Sequence, residues 1–155
     1  MKYDEIDDEL KGITFKFFYY FSRFEFVLKK NGYYFHPNRS NRANVDWNRF
    51  LDDNHKGYVL SKSAVQLIAE RPRQQIVDNQ NLSFEDVRFA DGESDLVKVG
   101  TLIKTVRNNL FHGGKHGDVS WDDQDRMKVL LGLVLEILGE IAEIAGLQND
   151  YQGAT

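Results

Sequence analysis

The sequence predicts an all-α fold, an up-and-down bundle of four main helices with an irregular middle insertion. Apolar residues recur at three- and four-residue steps over long stretches towards both ends of the chain. Turns rich in Gly, Asn and Asp, and one proline-closed boundary, separate these stretches. The 155 residues, with 13% aromatic side chains, are enough for one globular core. We therefore treat residues 1–155 as a single domain.

The first main helix is expected from about Asp4 to Lys30, where apolar residues follow the helical period. Asn31 and Gly32 end this pattern, as such residues often do. Residues 32–57 are polar and less regular, and they form the predicted middle insertion. One short amphipathic helix is expected there, beginning near Trp47.

The second main helix is predicted from Ser61 to about Arg71, because Pro72 cannot continue a helix. Residues 73–92 are expected to form a short helix or turn and then a loop. A brief extended piece is the alternative for this segment, because its apolar residues are spaced by two or three.

Two long helices are predicted in the C-terminal half. The third main helix begins near Ser94 and ends at Gly113-Gly114. The fourth begins at Ser120, where Ser120-Trp121-Asp122-Asp123 resembles a capping box, and runs to about residue 145–147. It is apolar on most sides, which is typical of a helix central to a core or shared with a partner chain. Residues 148–155 are expected to be frayed.

Composition excludes several kinds of site. The chain has no cysteine, so it has neither disulfides nor thiolate nucleophiles or metal ligands. No apolar stretch approaches the roughly 18 residues that span a bilayer, and the acidic N-terminal segment lacks the pattern of a secretory signal. We therefore expect a cytoplasmic protein without a membrane partner.

Positive charge is concentrated in one segment of an acidic protein. The formal net charge is -4, yet residues 96–117 contain Lys98, Lys104, Arg107 and Lys115 and no carboxylate. A helix C-terminus attracts cations through its dipole, and a cluster of cations can also bind a phosphate. Both interpretations are open from charge alone.

The segment from Arg107 to His112 contains the side chains best suited to catalysis. On a helix, Asn108 and His112 lie one turn apart on one face, and the long side chain of Arg107 can reach the same end. Histidine transfers protons near neutral pH, and arginine binds phosphate through two N–H groups. Asn108 can orient a ribose or the imidazole.

This residue set suits the cleavage of RNA by its own 2′-hydroxyl, with no metal or cofactor. One histidine supplies one proton carrier, so we expect a homodimer whose two-fold axis brings two copies of the site together. The competing interpretation is that Arg107 and His112 only stabilise the end of a helix.

Other candidate residues surround the motif. His112 and His116 have a spacing used by metal sites, but Gly113-Gly114 interrupts the helix between them, so no metal site is expected. Lys104, Lys115 and His116 are predicted to contact RNA phosphates. Glu25 and Arg23 on the first helix are expected to form a partly buried pair, with lining of the cleft as the alternative.

The run Arg107-Asn108-Asn109-Leu110-Phe111-His112-Gly113-Gly114-Lys115 resembles the signature of the HEPN superfamily, in which an Arg and a polar residue precede a His at the end of a helix. Residues 21–29 resemble the opening helix of small stand-alone HEPN proteins from bacterial and plasmid defence loci. The resemblance implies a homodimeric, metal-independent endoribonuclease that acts as a toxin or phage-defence effector.

By this resemblance Arg107 and His112 are the catalytic pair, and Asn108 supports them. Its implied partners are RNA, a second copy of the chain and a separate antitoxin or regulatory protein. Because the superfamily also contains inactive members, the alternative is a non-catalytic module that binds RNA, a nucleotide or a protein. A helical dimer that serves only as a scaffold or an antitoxin is a third interpretation.

Overall fold

The computed structural model describes residues 3–36, 41–111 and 123–153. These residues form a short 3-10 helix, six α-helices and a two-stranded antiparallel sheet, so the prediction of a mainly helical fold is confirmed. In chain order the elements are the 3-10 helix Tyr3–Glu5, α1 Asp8–Lys30, α2 Trp47–Asn54, α3 Lys62–Glu70, β1 Arg73–Asp78, β2 Asn81–Asp86, α4 Asp95–Phe111, α5 Gln124–Ile144 and α6 Gln148–Gln152.

Helices α1 and α5 form the centre of the core. Asp7 caps α1 by accepting a hydrogen bond from the backbone N–H of Leu10 at 2.7 Å, and it also pairs with Lys128 of α5 at 3.0 Å. α5 packs against α1, α3, α4 and α6. Its predicted central position is therefore confirmed, and its apolar side chains are buried on several faces.

Helix α4, which carries the Arg107 segment, is held by α2, α3, α5 and β1. α2 approaches it closely at Gly100, where a Cβ atom would lie only 2.6 Å from Cδ1 of Leu51. The last turns of α4 leave Asn108 and Phe111 exposed and Arg107 half-buried. Packing therefore fixes the helix while one side of its end stays open to solvent.

The all-α prediction is wrong for residues 73–86, which form a β-hairpin, whereas the alternative of a brief extended piece agrees with β2. Asn79 and Gln80 both have positive φ, at 45° and 68°, as in the two-residue turns that match the twist of paired strands. Gln75 pairs with Phe84 in the register. Of the hairpin side chains, Phe84 is the fully buried one. Since both strands are mostly polar, they carry little of the apolar alternation that predicts a strand.

The start of the last long helix also differs from the prediction. Helix α5 begins at Gln124, because the side chain of Asp123 accepts hydrogen bonds from the N–H groups of Asp125 and Arg126 and caps the helix there. The predicted start at Ser120 and the predicted stop at Gly113-Gly114 lie outside the described residues.

The prediction of a frayed tail is wrong for residues 148–152. They form α6, and Tyr151 is buried with its ring 5.6 Å from that of Tyr20 and 5.8 Å from that of Phe24. Arg23 donates a hydrogen bond to the backbone carbonyl of Asp150 at 3.0 Å. One buried aromatic ring and this bond hold the segment on α1. No helix in the described parts of the chain is both long and apolar enough to cross a membrane.

Candidate functional site

The guanidinium of Arg107 lies between two phenyl rings at the end of α4. Its central carbon is 5.7 Å from the ring centroid of Phe21 on α1 and 5.8 Å from that of Phe111. Arg107 also donates a hydrogen bond from Nη1 to Oδ1 of Asn108 at 2.9 Å. Ring faces attract a guanidinium and restrict its plane. Arg107 is therefore oriented, and Asn108 lies next to it as the sequence predicts.

No carboxylate of the described residues forms a direct ion pair with Arg107. Its side chain lines a cavity of about 250 Å³ together with Glu25, Ser22 and three phenylalanines of α1 and α4. Such an arginine can offer its remaining N–H groups to an anion.

Glu25 and Arg23 are not paired with each other, so the interpretation as a polar pair is wrong. Because they are two residues apart on one helix, their side chains point in different directions. Glu25 accepts a hydrogen bond from Nε1 of Trp47 at 2.9 Å and lines the cavity of Arg107, whereas Arg23 contacts Asp150 and the ring of Phe26. The alternative, in which both residues line the cleft, agrees with the structure for Glu25 and not for Arg23.

A second cavity, of about 320 Å³, opens on the other side of Asn108. It lies between α4 and β1 and is lined by Gln74, Gln75, Thr105, Asn108 and Asn109. None of these side chains is charged. The sequence did not predict this cavity, because it depends on the hairpin.

Asn109 connects the hairpin to α4 and is a residue that sequence reasoning missed. Its side chain is only 4% exposed, and its Nδ2 donates to the backbone carbonyl of Arg73 at 2.6 Å. The sequence assigns Asn109 no role beyond its place in the motif. The one signal is a second asparagine next to Asn108, which is unusual in a helix because asparagine is a weak helix former.

Lys104 lies one turn before Asn108 and contacts α2. Its Nζ is 3.4 Å from Oδ1 of Asn48, and Lys104 lines neither cavity. Burial lowers the pKa of Lys104 because it disfavours the charged ammonium, and the nearby carboxylate of Glu93 opposes this shift. Its predicted contact with RNA phosphate stays a prediction.

His112, Lys115 and His116 lie outside the described residues, which end at Phe111 before this segment and resume at residue 123. The distance from Arg107 to His112 is therefore a prediction from helix geometry. In the described ranges, no three His, Asp or Glu side chains are grouped as metal ligands.

An aromatic face borders the site on α1. We define it as Phe15, Phe18, Tyr19 and Phe111, whose side chains are 70%, 52%, 52% and 45% exposed. The ring of Phe111 is 6.0 Å from that of Phe18, so the face continues directly from α1 to the end of α4. A groove of about 460 Å³ runs along it. Exposed apolar surface of this kind is typical of an interface.

Comparison with known proteins adds no assignment, since no family model matches the sequence and no curated protein or solved structure is significantly similar to it.

Proposed function

We propose that this protein is a metal-independent endoribonuclease of the HEPN type that cleaves RNA in a cleft at a homodimer interface. The observation that carries the proposal is the state of Arg107, which is oriented by two phenyl rings, bonded to Asn108 and unpaired with any described carboxylate. A guanidinium in this state suits the oxygens of a phosphodiester. The up-and-down arrangement of the four main helices is part of the same proposal.

The reaction uses the nucleophile that RNA carries. One imidazole of His112 removes the proton of the 2′-hydroxyl, and the 2′-oxygen forms a bond to phosphorus. The bond from phosphorus to the 5′-oxygen breaks, and the His112 imidazole of a second copy donates a proton to that oxygen. Arg107 stabilises the charge on the non-bridging oxygens, and Asn108 orients the ribose or the imidazole. The products carry a 2′,3′-cyclic phosphate and a 5′-hydroxyl.

The aromatic face supports the homodimer. Four large aromatic side chains are exposed on this face, and one of them, Phe111, directly precedes His112. A second copy related by a two-fold axis would cover this face and bring the two ends of α4 towards one groove. The scheme needs both copies, because each chain supplies one histidine of the motif.

The remaining partners follow from the resemblance. Lys104, Lys115 and His116 would contact neighbouring phosphates, and a separate antitoxin or regulatory protein would control a cytoplasmic toxin or phage-defence effector. The non-catalytic alternative keeps the same cleft for RNA, a nucleotide or a protein but lacks the cleavage step.

The test is cleavage of total RNA by the purified chain in the presence of EDTA. Arg107→Ala and His112→Ala should abolish cleavage, whereas the matched controls Arg88→Ala and His36→Ala, at exposed positions that line neither cavity of the site, should retain it. Circular dichroism and thermal unfolding check that each variant is folded.

Three results would count against the proposal. Full activity of a folded His112→Ala variant rejects the catalytic assignment. A strict requirement for a divalent ion rejects the acid–base scheme. A gel shift of RNA by the wild type without cleavage rejects the nuclease and favours the non-catalytic alternative.

A further inference from the structure

The cavity between β1 and α4 is lined by amide groups and one hydroxyl. Gln74, Gln75, Asn108 and Asn109 each carry a C=O acceptor and an N–H donor group, and Thr105 adds a hydroxyl. Its volume of about 320 Å³ is at the lower end of the range for small-molecule sites. The cavity is therefore polar, uncharged and of nucleoside size.

Internal hydrogen bonds occupy only part of this set. Gln74 donates through Nε2 to Glu85 at 2.9 Å, and Asn109 donates through Nδ2 to the carbonyl of Arg73. Asn108 accepts from Arg107 through Oδ1. The side-chain amide of Gln75 forms no hydrogen bond with the residues that the structure describes. Donors remain on Gln75 and Asn108, and acceptors remain on Gln74, Gln75 and Asn109.

The amide and hydroxyl groups of this cavity favour one class of ligand. A phosphate would need a cation in the lining, a metal ion would need carboxylates, and a lipid chain would need apolar walls. The edge of a nucleobase carries donors and acceptors side by side and no charge, and Asn and Gln side chains read such edges through paired hydrogen bonds.

The position of the cavity links it to the proposed cleavage site. Asn108 lines the cavity with its side chain while its Oδ1 is bonded to Arg107, which lies in the other cavity. A nucleotide whose phosphate contacts Arg107 can therefore extend its base past Asn108 towards Gln75.

We propose that this cavity binds one base of single-stranded RNA and sets the base preference of the protein through Gln75, Gln74 and Asn108. The inference rests on the RNA ligand of the proposed function, but it does not require that the RNA is cleaved.

The experiment measures binding without cleavage. Fluorescence anisotropy of the full chain is recorded with labelled hexanucleotides that contain A, C or U alone or alternating G and U. All carry 2′-O-methyl ribose, which removes the nucleophile. The wild type should prefer one base by about tenfold in Kd, the discrimination expected of one good pair of hydrogen bonds.

Gln75→Ala should reduce this preference to about twofold or less, since it removes both hydrogen-bonding groups. Gln75→Glu keeps the size of the side chain but replaces the donor by an acceptor, so it should change which base is preferred or remove the preference. Gln66→Ala is the matched control, because Gln66 is exposed on α3 and should leave the preference unchanged.

Equal affinity of the wild type for all four oligonucleotides would overturn the inference, and so would a preference that survives in both Gln75 variants. Failure to bind any oligonucleotide would overturn it as well and leave the cavity to another kind of ligand. If RNA is cleaved but the Gln75 variants keep the base preference, this inference fails and the proposed function stands. If base selection depends on Gln75 and no RNA is cleaved, the inference holds and the nuclease fails.

Discussion

Replacement of Asn109 by alanine should loosen the β-hairpin from α4. The side chain of Asn109 is buried, and its Nδ2 donates to the carbonyl of Arg73, the first residue of β1. The other main attachment of the hairpin is the ring of Phe84, which is 8% exposed. A two-stranded hairpin is barely stable alone, so its order depends on attachments to the rest of the fold such as these two.

The magnitude follows from the hydrogen bond. Loss of a bond between neutral groups costs about 1 kcal/mol, and a partly buried acceptor that loses its donor raises the cost to at most about 3 kcal/mol. We expect Asn109→Ala to lower the free energy of unfolding by about 1–3 kcal/mol. If the loss falls on the hairpin alone, its amide hydrogens should exchange about 5- to 150-fold faster.

Urea unfolding and hydrogen exchange measure the two quantities. The matched control is Asn108→Ala, which removes the same amide one position earlier. The side chain of Asn108 is exposed and contacts only Arg107 by a hydrogen bond, so its loss should change stability by less than about 0.5 kcal/mol. If Asn109→Ala has the same unfolding midpoint and hairpin exchange rates as Asn108→Ala, the anchoring role of Asn109 is refuted.

Three further predictions concern the frame of the site. Gly100→Ala should destabilise the fold by about 1–3 kcal/mol in urea unfolding, because the new methyl overlaps Leu51; a gain in stability would contradict this close approach. Tyr58→Phe should leave stability unchanged or raise it by up to about 1 kcal/mol, since the buried hydroxyl has no hydrogen-bond partner among the described residues. A loss of stability above about 1 kcal/mol would contradict this and indicate that the hydroxyl forms a hydrogen bond. Hydrogen bonds from Leu10 and Lys128 hold the pKa of the Asp7 carboxyl below its ordinary 3.8, so this stabilisation is present at neutral pH and lost as pH falls through the lowered pKa. The Tm of Asp7→Asn should therefore fall less than that of the wild type between about pH 5 and pH 2, and parallel curves would contradict the assignment.

The long helices could be predicted because a helix that buries one face has apolar residues at a regular spacing in the sequence. The apolar residues of α1 and α5 recur at the helical period, and α3 ends before Pro72 as expected. The position of Arg107 and Asn108 in the last turns of α4 also followed from the sequence, whereas the hydrogen bond between them did not.

The hairpin and the polar cavity could not be predicted in the same way. Their attachments are single contacts between distant parts of the chain, and Asn109 and Arg73 are 36 residues apart. A single buried asparagine, Asn109, and a single buried ring, that of Phe84, produce no periodic pattern in the sequence. Tyr151 is a similar case, because one aromatic residue in a polar tail packs α6 on α1 together with polar contacts of Asp150.

The end of α4 can serve two cavities because neighbouring residues on a helix point about 100° apart. Arg107 contacts Phe21 of α1, Asn109 contacts Arg73 of β1, and Asn108 lies between them with its side chain exposed. The two flanking residues therefore fix α4 against α1 on one side and against the hairpin on the other. Asn108 is left at the boundary between the cavity that contains Arg107 and Glu25 and the uncharged, amide-lined cavity. Under the two proposals, the phosphate and the base of one nucleotide, which are joined through one ribose, would lie in these two cavities with Asn108 between them.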